Sequence, residues 1–297
     1  VRLGIDIGGT KTAALVLDAS GEVLAHVTAP SGRGRDGVMT TALGVAGRAV
    51  DVVGGWTALH HVGVCMPGLV DPVTGWARHA VNLDVDALDL ASGIAAATGH
   101  RPAVDNDVKA AALGAVHVAR PGVPAGRTAY LNVGTGLAAA VVDDGAVLRG
   151  VGGAVGEVGH LPVGTGLPCS CGQTGCLETI ASGSALARLW HRPAAELFPA
   201  AAQGDPHAAD VVATLARGIG LAVQVLVTTG AELVLVGGGV ARDHVLLEAA
   251  VLDGLAARSR TSPFLARLDL GARVRVLDGS APLAALGAAL LPTPVTA

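Results

Sequence analysis

Two stretches decide the fold: LGIDIGGTKTAALVLDASGEVL (3–24) and YLNVGTGLAAAVVDDGAVL (130–148). Each reads as a short strand, a glycine-threonine turn, an apolar strand, an Asp/Gly turn and a third strand. The two lie about 127 residues apart, and an internal duplication is the economical reading. It predicts two related α/β lobes with a cleft between them. A chance recurrence of two glycine-containing hairpins is the plainer alternative.

Working outward, helical spacing covers 37–53, 86–98, 107–119, 178–190, 208–228, 244–258 and 283–291. Further short strands are expected at 61–66, 103–104, 232–236 and 274–276. The chain has 297 residues, enough for one large domain or two ordinary ones and for a core without disulfide staples. Hydrophobic residues make up 51%, charged residues 15% and aromatic residues 2%, so the core must be Ala, Val and Leu. Glycine numbers 43, roughly twice its ordinary share. High apolar content with a net charge of −4 argues against disorder. The lack of a basic run argues against sequence-independent nucleic-acid binding. The apolar stretch 218–231 is too short to cross a membrane, and the uncharged tail is broken by Pro282, Pro292 and Pro294. With no leader pattern ahead of the first strand, the expected setting is cytoplasmic, with no membrane partner.

Five segments carry candidate chemistry. In DIGGTK (6–11), Gly8 and Gly9 let backbone N–H groups converge on phosphate, Thr10 and Lys11 add a hydroxyl and a cation, and Asp6 offers a hard oxygen to water-bound Mg²⁺. It is not a Walker A loop, because the spacing differs and a strand follows. The plain reading is an ordinary hairpin. Gly134-Thr135-Gly136 is a second candidate phosphate loop; it also fits a loose dinucleotide fingerprint, but the Asp-Gly turn that follows suits a hairpin better. Gly237-Gly238-Gly239 ends an apolar strand, where a nucleotide base could approach the backbone or the chain simply turn.

In VDNDVKAAALGA (104–115), Asn106 and Asp107 stand at a strand end and helix start. Helix capping accounts for one of them, and substrate binding plus a general base for both. GEVGHLPVGTGLPCSCGQTGCLE (156–178) brings His160, Cys169, Cys171 and Cys176 together. Three thiolates and an imidazole suit tetrahedral zinc, and four protein ligands close the site, so the metal would be structural. Reduced structural thiols are the alternative. Glu157 and Glu178 flank the cluster; each is also readable as a solvated loop carboxylate.

Taken together, DIGGTK (6–11), PGLVD (67–71), DND (105–107), GTG (134–136), GEVGH (156–160), CSCGQTGCLE (169–178) and VGGGVA (236–241) make the chain resemble the ROK family of sugar kinases and regulators. The resemblance spans nearly the whole sequence. It implies the two-lobed actin-like ATPase (ribonuclease H-like) fold, with residues 1–106 and 283–297 in a smaller lobe and 107–282 in a larger one. It implies ATP-dependent phosphorylation of a hexose at its 6-hydroxyl, glucose first, with Mg²⁺ and a structural Zn²⁺. An N-acetylhexosamine or mannose as acceptor, or a non-catalytic sugar sensor, are the other readings.

By match, Asp107 is the base. Asn106, Glu157, His160 and Glu178 hold sugar hydroxyls, with Gly68 lending backbone. Gly8, Gly9, Thr10, Lys11, Gly134, Thr135 and Gly136 hold phosphates, and Gly237, Gly238 and Gly239 approach adenosine. His160 would bridge, one ring nitrogen on zinc and the other toward sugar. The family is usually a homodimer or homotetramer. The sequence departs from the family at Val81-Asn82-Leu83-Asp84-Val85, where an aromatic residue is common. With the phosphate motif beginning at Asp6, the DNA-binding domain of the family's repressors is not expected. The cysteine cluster separates the chain from polyphosphate-using relatives.

Overall fold

The computed structural model describes residues 1–293. Residues 294–297, with Pro294 and the end of the expected closing segment, lie outside the described residues. The chain forms two compact units, one of Val1–Val118 with the described residues from Pro282 onward, the other of Ala119–Ala281.

The first unit opens with β1 (Arg2–Ile7), β2 (Lys11–Leu17) and β3 (Val23–Pro30), joined as an antiparallel meander. α1 (Gly34–Asp51) follows, then β4 (His61–Met66), parallel to β1. A small antiparallel sheet comes next, made of β5 (Leu69–Val70), β6 (Trp76–Ala80) and β7 (Val85–Asp89). α2 (Leu90–Thr98), β8 (Ala103–Asn106) and α3 (Asp107–Val118) complete this part of the chain. The main sheet runs β3-β2-β1-β4-β8.

The sequence reading places one helix over 86–98, but its first residues form β7. Asp89 ends that strand and accepts the Ser92 amide at 2.9 Å, so the helix starts only after this cap.

Alternation along β1 sorts its residues between two faces. Leu3, Ile5 and Ile7 join the core against α1 and α2. Gly4 and Asp6 face the other side. There a closing helix, Leu283–Ala289, lies against the sheet and α3. The approach is possible only without side chains: a Cβ on Gly4 would fall 1.9 Å from the Ala285 carbonyl oxygen, and one on Gly63 1.8 Å from that of Ala288. Gly287 and Gly114 meet α3 and the closing helix in the same way. This packing puts α3 in the first unit, whereas the sequence reading begins the larger lobe with that helix.

The second unit repeats the plan. β9 (Thr128–Val133), β10 (Leu137–Asp143) and β11 (Ala146–Leu148) form the meander. A long loop leads to α4 (Gly183–Leu189), α5 (Leu197–Ala202) and α6 (Pro206–Thr228), then β12 (Leu233–Gly237) parallel to β9. α7 (His244–Thr261), α8 (Pro263–Leu268) and β13 (Val274–Val276) end it. The sheet order is β11-β10-β9-β12-β13, strand for strand the order of the first sheet. Duplication therefore wins over chance hairpins. The antiparallel β10 after Gly136 also removes the dinucleotide-fold reading.

The helix expected over 178–190 is two pieces: a 3-10 turn at Leu177–Thr179, and α4, capped where Ser182 accepts the Ala185 amide. α6 is longer than the 14-residue apolar stretch noted in the sequence, and it is long and apolar enough to cross a membrane. Val211, Leu215, Ile219, Val223 and Leu226 instead bury one face of it in the second unit's core.

Candidate active site

In the first unit, parallel pairing aligns the ends of β1, β4 and β8. Asp6 stands opposite Cys65, and Cys65 opposite Asp105. Candidate ligand-binding turns follow the carboxyl ends of such strands. The chain leaves β1 through Gly8-Gly9, leaves β4 through Pro67-Gly68, and passes from β8 into α3 at Asn106-Asp107.

Asn106 does cap the helix. Its side-chain oxygen accepts the Val108 and Lys109 amides at 3.0 and 3.3 Å, and its amide donates to the Gly68 carbonyl at 3.3 Å. Capping so absorbed by Asn106 leaves Asp107 available for chemistry. Asp107 is half-buried, and its carboxylate accepts the Val108 amide at 2.9 Å. Burial raises its pKa, opposed by the backbone amides of Val108 and Asp107, by Lys109 and by Asn106. Burial, then the charge of Asp107, push Asp6 up to about 7; Lys11 and the Cys65 thiol pull it down. Cys65 Sγ sits 3.8 Å from Asp6 Oδ1 and is itself raised by burial and by Asp6. The sequence reading gives Cys65, the one cysteine outside the cluster, no role.

Sequence reasoning also misses Ser31. Its hydroxyl donates to the Gly8 carbonyl at 2.5 Å and meets the Thr12 hydroxyl at 3.0 Å, while its amide donates to the Thr10 carbonyl at 3.0 Å. Ser31 thus holds the Gly8–Thr10 turn in shape. A small hydroxyl residue directly after β3 is the only signal the sequence offers for this. Gly9 is packed against Asn82, whose Cβ would lie 3.1 Å from a Cβ added there.

In the second unit, the Gly134-Thr135-Gly136 turn closes with the Gly134 amide on the Gly136 carbonyl at 3.1 Å. Gly183 and Ser184 amides donate to the Gly134 and Thr135 carbonyls at 2.7 and 3.1 Å. Glu178 Oε2 accepts the Leu137 amide at 2.8 Å, and Glu178 Oε1 stands 3.8 Å from Cys169 Sγ. Glu157 is exposed and lies 4.0 Å from His160 Nε2. The structure brings Glu157, His160, Glu178 and the glycine turn into one region of this unit.

The ligand atoms of His160, Cys169, Cys171 and Cys176 all lie within 4.8 Å of one another. Cys171 and Cys176 sulfurs are 3.7 Å apart, and Cys169 Sγ is 3.8 Å from His160 Nδ1. The edge of a tetrahedron built on Zn–S bonds is about 3.8 Å, so spacing and donor chemistry both fit zinc. Nδ1 faces the sulfurs and Nε2 faces Glu157, the division of labour expected of a bridging histidine. A backbone hydrogen bond from Gln173, helped by the neighbouring thiols, lowers Cys171, while burial and the same thiols raise Cys176.

The triple glycine divides. A Cβ on Gly237 would meet the Tyr130 hydroxyl at 2.8 Å, and one on Gly238 the Asn132 side chain at 2.6 Å. Packing against β9 thus requires these two, while Gly239 faces open space.

The ROK family model matches residues 2–291. A glucokinase from Halalkalibacterium halodurans is 30% identical over 271 residues, covering 81% of this chain and 80% of the relative. An N-acetylmannosamine kinase from Salmonella arizonae is 31% identical over 255 residues, covering 83% and 85%. Among solved structures, a ROK family glucokinase from Streptomyces griseus in complex with glucose and AMPPNP superposes with a TM-score of 0.78 at 28% identity, covering 98% of each chain.

Proposed function

The chain belongs to the ROK family, and from that premise we propose that it transfers the γ-phosphoryl group of ATP to the 6-hydroxyl of a hexose, glucose first. The observation that carries the reading is Asp107. It stands at a strand-to-helix junction whose cap is already supplied by Asn106, and its raised pKa suits proton acceptance.

In the proposed step, Asp107 takes the proton from the 6-hydroxyl as that oxygen attacks the γ-phosphorus. The bond to the β–γ bridging oxygen breaks, and ADP leaves. Asn106 has one amide hydrogen on Gly68 and offers the other to the sugar. Glu178 has Oε2 on Leu137 and offers Oε1. His160 Nε2 and Glu157 complete the hydroxyl contacts, with Gly68 supplying backbone. By the family resemblance, Gly8, Gly9, Thr10 and Lys11 of the first unit and Gly134, Thr135 and Gly136 of the second are each assigned to phosphate, and Gly239 to adenosine, with Gly237 and Gly238 shaping the turn.

Mg²⁺, when bound, neutralises phosphate charge. Asp6 is the residue fitted to hold it through water, since a buried carboxylate pushed up to about 7 is one a cation would return to its ionised form. Zinc, when bound at His160 and the three cysteines, fixes the loop that carries Glu157 and His160.

ADP release over a panel of hexoses tests the reading, with turnover expected on glucose. No turnover on any hexose sinks it. The N-acetylmannosamine kinase relative, equally similar, gives one second reading: an N-acetylhexosamine as acceptor, which the same panel decides.

A further inference from the structure

The start of β10, directly after the glycine turn 134–136, is gripped from two sides, and both grips are rooted on ligands of the metal cluster. One grip is the segment 156–160. The Ala139 amide donates to the Gly156 carbonyl at 2.7 Å, and Gly159 lies so close that a Cβ there would fall 1.9 Å from the Leu137 carbonyl oxygen. This segment ends in His160. The other grip is the segment 176–184, which begins at Cys176. It supplies Glu178 to the Leu137 amide, Gly183 to the Gly134 carbonyl, and the Ser184 amide and hydroxyl to the Thr135 carbonyl. The two segments are joined just beyond their roots, where the Leu177 amide donates to the Leu161 carbonyl at 2.8 Å. A metal bound by His160 and Cys176 would hold the two grips together at that point.

We propose that Glu178 is a positioning residue that passes the order of the metal cluster to the phosphate loop, so that filling the cluster tightens nucleotide binding even with no sugar present. This rests on the kinase reading, in which residues 134–136 meet phosphate. Glu178 stands two residues after the ligand Cys176 and accepts the Leu137 amide on Oε2, so ordering the root of this segment orders the carboxylate that holds the strand leaving the phosphate loop. A metal that served only to aim His160 at the sugar would leave nucleotide affinity unchanged.

The test is calorimetric titration of Mg–ADP, without sugar, into metal-loaded protein, chelator-stripped protein, and metal-loaded Glu178→Gln, Glu178→Asp and Glu178→Ala. Stripping is expected to weaken ADP about tenfold, the worth of roughly one hydrogen bond lost at the loop. Glu178→Ala loses the acceptor for Leu137, and Glu178→Asp withdraws it by one methylene; both are expected to fall with the stripped protein. Glu178→Gln keeps an acceptor oxygen and is expected to stay within about twofold of wild type. Metal content and far-UV circular dichroism are measured on each sample. If stripping unfolds the protein, the loaded variants decide, and if Glu178→Ala does not fold, Glu178→Asp decides. Equal ADP affinity in every folded sample overturns the inference and leaves the kinase reading standing. No ADP binding by loaded wild type removes both.

Discussion

The side-chain amide of Asn106 donates to the backbone carbonyl of Gly68 across 3.3 Å, while the oxygen of the same side chain caps α3. One residue thus fixes the helix that begins with Asp107 and the turn that leaves β4. Asn106→Asp keeps the capping oxygen and loses the donor. We expect thermal stability close to wild type and a sugar KM raised about tenfold, the loss of one hydrogen bond to a ligand-binding turn. Asn106→Ala loses the cap as well and should lower stability by about 1 kcal/mol. Steady-state kinetics and thermal melts of the pair check this.

Asp107 and Asp6 both have raised pKa values. A base must be ionised to accept a proton, so activity is expected to fall as pH drops, with the acid limb above the ordinary carboxylate range. Asp107→Asn should remove that limb by removing activity, by a factor of about 10²–10⁴ in kcat. Wild-type turnover in that variant disproves the assigned base.

Stability moves the other way with pH. A carboxylate raised to about 7 in the fold holds a proton that the unfolded chain has already released, so metal-free protein loses stability as pH climbs from the unfolded carboxylate value toward 7. Asp6→Asn removes this penalty. We expect its metal-free melting temperature at pH 8 to exceed that of wild type by about 2–4 °C, with no gain at pH 4. The variant should also lose its Mg²⁺-dependent turnover.

Ser31 holds the Gly8–Thr10 turn by two contacts, its hydroxyl on the Gly8 carbonyl and its amide on the Thr10 carbonyl, and its hydroxyl also meets Thr12 in β2. Ser31→Ala keeps only the backbone bond to Thr10. The expected outcome is an ATP KM raised severalfold with sugar KM unchanged, because the hydroxyl shapes the phosphate turn and touches none of the sugar residues. Equal rises in both constants would contradict that assignment.

Gly287→Ala places a methyl group 1.6 Å from the Ala110 carbonyl oxygen, and backbone cannot yield as a flexible side chain does. The closing helix must shift away from α3. Denaturant unfolding should show a loss of about 1–3 kcal/mol or more. Gly34→Ala tests the contrast: no atom lies within 4 Å of an added Cβ there, but its φ of 67° makes the cost one of backbone strain alone.

Signals that are local in the chain were legible. The two meanders, the junction at Asn106-Asp107 and the metal spacing each lie within about two dozen residues, and each was read from turn chemistry or ligand spacing. What escaped depends on contacts distant in sequence. Ser31 acts on a turn that precedes it by a whole hairpin. β7 is a strand because β6 pairs with it, and its residues carry no strong alternation of their own. α3 looks like the start of a new lobe until Gly287, in a helix some 170 residues later, settles against it. The sequence offers Glu178 for sugar or as a solvated loop carboxylate, and only the folded loop reveals that it accepts the Leu137 amide.

The closing helix has one more consequence, for the order in which the protein is made. The Ala13–Leu15–Leu17 face of β2 is buried by Ala285, Leu286 and Ala289, and Cys65 by Ala288. On a ribosome, the first unit emerges first yet lacks this cover until residues 283–289 have been synthesised. Every strand of the second unit has left the ribosome by then. The half that is translated first is therefore the half that matures last, and until it does, the apolar face of its sheet stands open to chaperones, proteases and other nascent chains.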